Sequence, residues 1–297
     1  MRRILVTGAT GFVGKALLEV MSAEGRMEIR ALARRPEKLS CPTVEVIKGN
    51  LLSPPSLLEA STGCDTVLHM AAYRRTSFFP PHKSELSYNV NVVGTRNILM
   101  ASVKQGVRYF IYTSSHLAEH AQTDYARNKR LAEKLVAEIC EENELNHYIL
   151  RIGSILDKSR RLFALRILDS FKAPQIDYLL EHFAKRKMAA AKLADVVETM
   201  HWLIANIERV QPGLYSLISE TPNIEEIVER VSGRRRPRHN MARIYSLYER
   251  LAAKVGHRTF VEGFRLNSYN KSELQSLAKL KALNETIKEE EETYRLR

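Results

Sequence analysis

Residues 114–129, SSHLAEHAQTDYARNK, hold two serines, a tyrosine and, four positions after it, a lysine. On a helix, positions i and i+4 share a face, so Tyr125 and Lys129 would stand side by side. A tyrosine with an ordinary pKa near 10 moves protons poorly at neutral pH unless a cation stabilises its phenolate. Lys129 is placed to supply that cation, which would make Tyr125 a proton carrier. The bland alternative is a ring packed on a sheet and a lysine reaching to solvent. Between serines and tyrosine, a short loop carries His116, Glu119 and His120, residues that could crowd or supplement a site. Cys41, Cys64 and Cys140 lack metal-ligand spacing, and no metal is expected.

A second stretch, TGATGFVG, places Gly8, Gly11 and Gly14 between an apolar run and a segment of helical periodicity. Here one glycine allows the tight turn, one lets the backbone approach a pyrophosphate, and one lets helix and strand pack closely. The helix N-terminus offers N–H groups and a positive dipole end to phosphates. Thr10, Phe12 and Val13 belong to the same loop and are expected beside the cofactor. The ribose end is read after the second strand, where the chain has Arg34 and Arg35 and its first acid only at Glu37. Two guanidiniums suit a 2′-phosphate, which favours NADP over NAD; the alternative is that both simply face solvent.

Such residues need a scaffold that brings strand ends together. Apolar runs at 3–7, 28–33, 44–48, 66–70, 109–113 and 147–151 read as strands. They alternate with helical patterns at 13–23, 57–60 (entered through Pro54 and Pro55), 87–105 and 124–143. Strand–helix alternation of this kind implies an α/β fold, a doubly wound, Rossmann-like parallel sheet covered on both faces. After Arg151 it decays into predicted helices at 159–187, 193–206, 223–232, 241–254 and 271–289, with a lone strand at 214–218. The expected division is a dinucleotide-binding domain over 1–155, with elements returning around 190–218, and a smaller, mostly helical substrate region over 156–297.

The composition is that of a globular chain, 44% hydrophobic and 27% charged, with no apolar run long enough to span a membrane. Few cysteines, odd in number, point to a reducing cytoplasm. The net charge of +12 is dispersed apart from one dense run at 234–238, without the aromatic interleaving of a nucleic-acid module. The expected partner is a small-molecule substrate, phosphate- or sugar-bearing, bound by a monomer or homodimer.

Taken in order, these stretches resemble the short-chain dehydrogenase/reductase superfamily in its extended and atypical branches, the NAD(P)-dependent epimerase/dehydratase-like and NmrA-like proteins. The similarity covers roughly residues 1–155, with a fainter echo to about 206. Gly49-Asn50-Leu51 stands where the family has Gly-Asp-Leu, so Asn50 and Leu51 would hold the adenine. Val67-Leu68-His69-Met70-Ala71-Ala72 resembles the fourth-strand segment beside the cofactor, implicating Ala71 and Ala72. Asn91-Val92-Val93-Gly94-Thr95, Tyr112-Thr113-Ser114-Ser115 and Leu150-Arg151-Ile152-Gly153 resemble three further segments and add Asn91, Thr113 and Ile152. The resemblance gives Lys129 a second task, gripping the nicotinamide ribose, and gives Ser115, with Ser114 in reserve, the orientation of a substrate carbonyl or alcohol. Asn50 replaces the usual Asp, Ile152 the usual Pro, and the loop between Ser115 and Tyr125 is shorter than the family's.

Two readings stay open. One is an NADP(H)-dependent oxidoreductase or epimerase/dehydratase-like enzyme transferring hydride on a carbonyl or sugar-like substrate. The other is an NADP(H)-binding protein without turnover, a redox sensor or assembly subunit; the 114–129 segment also resembles a non-catalytic subunit of respiratory complex I. Tyr125 and Lys129 favour the enzyme; the short loop and the irregular second half of the chain favour the binder.

Overall fold

A computed structural model of the 297-residue chain describes residues 2–73, 84–121, 123–156 and 184–232. Its centre is a seven-stranded sheet built from β1 (Arg3–Thr7), β2 (Glu28–Ala33), β3 (Val44–Lys48), β4 (Thr66–His69), β5 (Tyr109–Ser115), β6 (Asn146–Ile152) and β9 (Gly213–Leu217). Their spatial order is β3-β2-β1-β4-β5-β6-β9, and every pairing is parallel. Because all strands run one way, their carboxyl ends share one edge. The chain reverses direction across the sheet between β1 and β4, and that reversal opens a crevice at the edge.

The strands are buried on both faces, so they read as continuous apolar runs rather than alternating ones. One face packs α1 (Phe12–Glu24) beside a helix from late in the chain, labelled α6 below, through Leu17, Met21, Val196, Met200 and Leu203. The other packs α2 (Pro54–Ser61), the α3–α4 segment and α5 (Asp124–Glu142) through Leu57, Ile98, Leu99, Ala132 and Val136. A small parallel pair, β7 (Ser154–Leu156) with β8 (Ala190–Lys192), leads into α6 (Leu193–Ala205). From there β9 returns to the large sheet beside β6, and α7 (Ile224–Ser232) follows. Tyr148 ties this return down, its hydroxyl donating to the carbonyls of Ile207 (2.8 Å) and Val210 (2.9 Å).

The expected helix over 87–105 is three pieces: α3 (Ser84–Tyr88), a π-helical turn (Asn89–Val93) and α4 (Gly94–Lys104). The turn lets α4 approach the β3–α2 loop closely, since a Cβ on Gly94 would lie 2.9 Å from that of Leu51. β5 runs two residues past its expected end, to Ser115, and a single 3-10 turn (His116–Glu119) follows it. The helices expected at 241–254 and 271–289, most of that at 159–187, and the arginine run at 234–238 lie outside the described residues.

Candidate active site

The glycine loop turns off the carboxyl end of β1. Gly8 takes φ +77°, and a Cβ there would meet the Ala71 nitrogen at 2.6 Å, so the loop lies directly on the chain leaving β4. Gly14 is covered: its Cβ would meet the Gly8 carbonyl oxygen at 2.4 Å, which closes α1 onto the loop. Gly11 caps α1 with extended backbone and is exposed, and neither a side-chain cap nor an acidic first-turn residue occupies that helix end. An open helix N-terminus behind a tight glycine turn fits a pyrophosphate. Thr10, Phe12 and Val13 are half-buried around it, and Arg34 and Arg35 are exposed just beyond β2.

Asn50 is exposed, and its side-chain oxygen accepts the Leu52 N–H (3.1 Å), fixing the turn into α2. Leu51 is buried in the core with its carbonyl bound by Asn97 (3.0 Å).

Beyond the loop a buried polar chain begins. The Ala71 N–H donates to Thr7 Oγ1 (3.2 Å), which lies 2.7 Å from Nδ1 of the fully buried His69; His69 Nε2 lies 3.0 Å from Thr95 Oγ1. The Thr95 hydroxyl donates to the Asn91 carbonyl (2.8 Å), so Thr95 must accept from Nε2–H, and Nδ1 must accept from Thr7. The imidazole is therefore the neutral Nε2–H tautomer. Burial, reinforced by the Lys129 ammonium, lowers its pKa to about 3. Asn91, 2% exposed, is committed elsewhere: its amide brackets the backbone of Tyr73, accepting from N–H (2.7 Å) and donating to C=O (2.9 Å), and donates to Ser87. It shapes the segment after β4 rather than offering its side chain to a ligand. Ala71 and Ala72 lie on that segment, the first half-buried and the second exposed.

α5 lies across β5 and brings the opening residues to the same edge. Lys129, 3% exposed, donates to the Thr113 carbonyl (2.7 Å) and sits 4.6 Å from the ring centroid of Tyr112. Burial lowers its pKa to about 7, against the opposing pull of the Glu133 carboxylate. Tyr125, half-buried one turn earlier, is near enough to Tyr112 to help burial hold that phenol well above its ordinary pKa. Thr113 is pinned through its hydroxyl to the His69 carbonyl (3.3 Å). Ile152, paired with Ser115, lies at the neighbouring strand end.

The two serines separate. Ser114 donates to Glu133 Oε1 at 2.5 Å, and Arg151 grips the same carboxylate with Nε (3.0 Å) and a terminal nitrogen (2.8 Å). Ser114 is thus spent in a buried triad with Glu133, which is 6% exposed, and Arg151. Ser115 is half-buried, and among the described residues its hydroxyl accepts the Leu117 N–H (3.3 Å) and donates to none. Glu133, His69 and Thr95 escaped sequence reasoning. The usable signals were a histidine inside the apolar strand TVLH and a glutamate one turn beyond Lys129 on the same helix face.

Comparison with known proteins puts names beside this geometry. The NAD dependent epimerase/dehydratase family profile matches residues 4–217. The 3 beta-hydroxysteroid dehydrogenase/Delta 5-->4-isomerase of Mycobacterium tuberculosis is 36% identical over 118 residues, 38% of this chain and 32% of that protein. The N-acetyl-alpha-D-glucosaminyl-diphospho-ditrans,octacis-undecaprenol 4-epimerase of Escherichia coli O157:H7 is 38% identical over 112 residues, again 38% of this chain and 32% of its own. This chain therefore spans about a third of the length of these relatives. Among solved structures, the Thermus thermophilus UDP-glucose 4-epimerase in complex with NAD superposes with TM-score 0.61 at 19% identity, covering 78% of this chain and 82% of its own. A short-chain dehydrogenase/reductase superfamily protein from Agrobacterium tumefaciens, with bound NAD, gives 0.62 at 21% identity, covering 86% and 99%. The seven-stranded parallel sheet, the glycine loop at its switch point and a profile match over most of the chain lead to one assignment: the chain belongs to the NAD dependent epimerase/dehydratase family.

Proposed function

We propose that the protein is an NADP(H)-dependent oxidoreductase or epimerase/dehydratase-like enzyme acting on a carbonyl or sugar-like substrate. The observation that carries this reading is the convergence at one sheet edge of the open α1 N-terminus with Tyr125, Lys129 and Ser115. A bound nicotinamide supplies or accepts the hydride. Gly8, Gly11 and Gly14 seat the pyrophosphate, with Thr10, Phe12 and Val13 around it; Ala71, Ala72 and Ile152 line the crevice. Asn50 offers its amide nitrogen, and Leu51 its backbone, to the adenine. Arg34 and Arg35 take the 2′-phosphate, two exposed guanidiniums with no carboxylate partner among the described residues.

Ser115 donates its free hydroxyl proton to the substrate oxygen and holds it toward Tyr125. Tyr125 gives that oxygen a proton as a carbonyl is reduced, or takes one as an alcohol is oxidised. Lys129 answers the phenolate. With a pKa near 7 its charge is easily recruited, and a developing anion next to it favours the ammonium. His69, held neutral, keeps the β4 end rigid without adding a competing cation.

The solved relatives above carry NAD, so the preference for the phosphorylated cofactor rests on Arg34 and Arg35. A second reading, cofactor binding without turnover, draws on the Thr113 carbonyl that already occupies the Lys129 ammonium. Titration calorimetry with NADPH and NADH, then a screen of hydroxysteroids, simple ketones and nucleotide sugars followed at the reduced-nicotinamide absorbance, separates these outcomes. Tight NADPH binding with turnover supports the proposal; tight binding with none across the screen supports the second reading. Three free cysteines, two of them buried, accord with a reducing cytoplasm as the working compartment.

A further inference from the structure

The loop between Ser115 and Tyr125 contains the pattern His-x-x-Glu-His, with His116, Glu119 and His120 at positions i, i+3 and i+4. That spacing puts three side chains on one face of a helical turn, and residues 116–119 form such a turn. One ligand atom from each residue lies within 4.8 Å of the other two, and His116 Nδ1 is 3.8 Å from a Glu119 carboxylate oxygen. Ligand atoms at about 2.0–2.1 Å from a tetrahedral ion stand roughly 3.3–3.4 Å apart, so small side-chain rotations close the set.

Further features of the turn argue for a built site. His116 is 1% exposed, so one imidazole is already out of water. His120 Nε2 is shielded from solvent without a hydrogen-bond partner among the described residues, an unmet polar group that a bound ion could satisfy. The turn is also braced from outside: Ser115 Oγ accepts the Leu117 N–H (3.3 Å), and Arg130 on α5 donates to the Glu119 carbonyl (2.8 Å). The two imidazole planes stand at 89° to each other with centroids 6.0 Å apart.

We propose that His116, Glu119 and His120 bind a divalent ion of zinc type, two imidazole nitrogens and one carboxylate oxygen leaving a fourth position for water. Imidazole with carboxylate suits a borderline ion such as Zn²⁺ over Ca²⁺ or Mg²⁺, which prefer all-oxygen shells. The ion would staple the segment immediately after Ser115, which leads into the Tyr125 end of α5. The metal claim stands on these three side chains whether or not the chain turns over a substrate.

The test uses the full untagged chain, stripped with chelator and dialysed, then titrated with Zn²⁺ by calorimetry and analysed for metal content. One ion per chain binding at micromolar affinity or tighter is expected, with a raised melting temperature. His120→Ala should weaken binding by at least a hundred-fold, beyond the 10- to 100-fold that a mere outer-shell partner is worth. Glu119→Gln should weaken it too. His201→Ala, at a histidine paired with Glu24 far along the chain, should leave it unchanged and controls for adventitious histidine binding. Cobalt substitution should give the visible absorption of a tetrahedral site, lost in His120→Ala. No saturable binding below about 100 µM in the wild type, or equal binding in folded His120→Ala and Glu119→Gln, overturns the proposal.

Discussion

The two sides of the crevice are built by opposite means. On the β1–β2 side, the features that meet a ligand are backbone and exposed ends: a turn at Gly8, an uncapped α1 N-terminus, and Arg34 and Arg35 in solvent. On the β4–β5–α5 side the polar groups are buried and already bonded. His69 lies between two threonines, Lys129 on a carbonyl, and Ser114, Glu133 and Arg151 in one triad. The first side can bind a charged ligand at little reorganisation cost, because nothing there must be unmade. The second is preorganised for proton traffic at a fixed point, where low dielectric strengthens each interaction and penalises each missing partner. Substitutions on the first side should therefore show in affinity, and on the second in turnover or folding.

Tyr125→Phe should have the largest effect and most directly breaks this division if it fails. It removes one hydroxyl and leaves the ring and the Lys129 charge in place. Turnover on an accepted substrate should fall by about 10²–10⁴, the usual worth of general acid–base catalysis, with NADPH affinity nearly unchanged. Undiminished turnover would strip Tyr125 of the proton-transfer role. Next comes Glu133→Ala, which removes the carboxylate that Arg151 grips and that accepts from the Ser114 hydroxyl. Losing one partner of a buried ion pair costs on the order of 3–5 kcal/mol, read as a lowered urea midpoint at constant m-value. A midpoint unmoved from wild type would place the triad outside the cooperative core.

On the open side the expected change is smaller and confined to binding. Arg34→Ala with Arg35→Ala should cut NADPH affinity by roughly ten- to over a hundred-fold, about 1.5–3 kcal/mol, and spare NADH. Thermal stability should stay put, since both side chains are exposed. Equal losses for the two cofactors would mean the arginines act through the general field of the surface rather than on a 2′-phosphate.

The same contrast explains what the sequence could show. The β2 and β3 boundaries and the glycine loop were legible because backbone geometry dictates residue type: only glycine tolerates φ +77° against the Ala71 backbone. The pairing of Tyr125 with Lys129 on one helix was legible from spacing. Partners set by tertiary packing were not. Nothing local says that Ser114 would turn to Glu133 while Ser115 stays available, or that Asn91 would spend its amide on Tyr73. The π-helical turn within 89–93 was hidden for a related reason: its sequence, NVNVV, keeps a helix-compatible pattern, and the approach of Leu51 to Gly94 comes from another segment.

The most gradual expected effect sharpens the account of the buried side through pH. Lys129 has a folded pKa of about 7 against 10.5 for the free side chain, chiefly because burial penalises the ammonium. Between those values the unfolded chain binds the extra proton and the folded chain does not. Stability should therefore rise with pH above about 7, by up to roughly 1.4 kcal/mol per unit from this group alone, and the full penalty should apply below pH 7. Cys140, raised to about 12 from 9.0 by burial, pulls the other way above pH 9, so the clean window is pH 7–9. Lys129→Met fills similar volume without titrating, and subtracting its unfolding free energy from that of wild type at each pH isolates the lysine. The difference should climb in favour of wild type across the window. A flat difference would mean that Lys129 keeps its full charge in the folded chain, held by Glu133 and the Thr113 carbonyl, and that its ammonium is a fixed cation rather than one recruited by the Tyr125 phenolate.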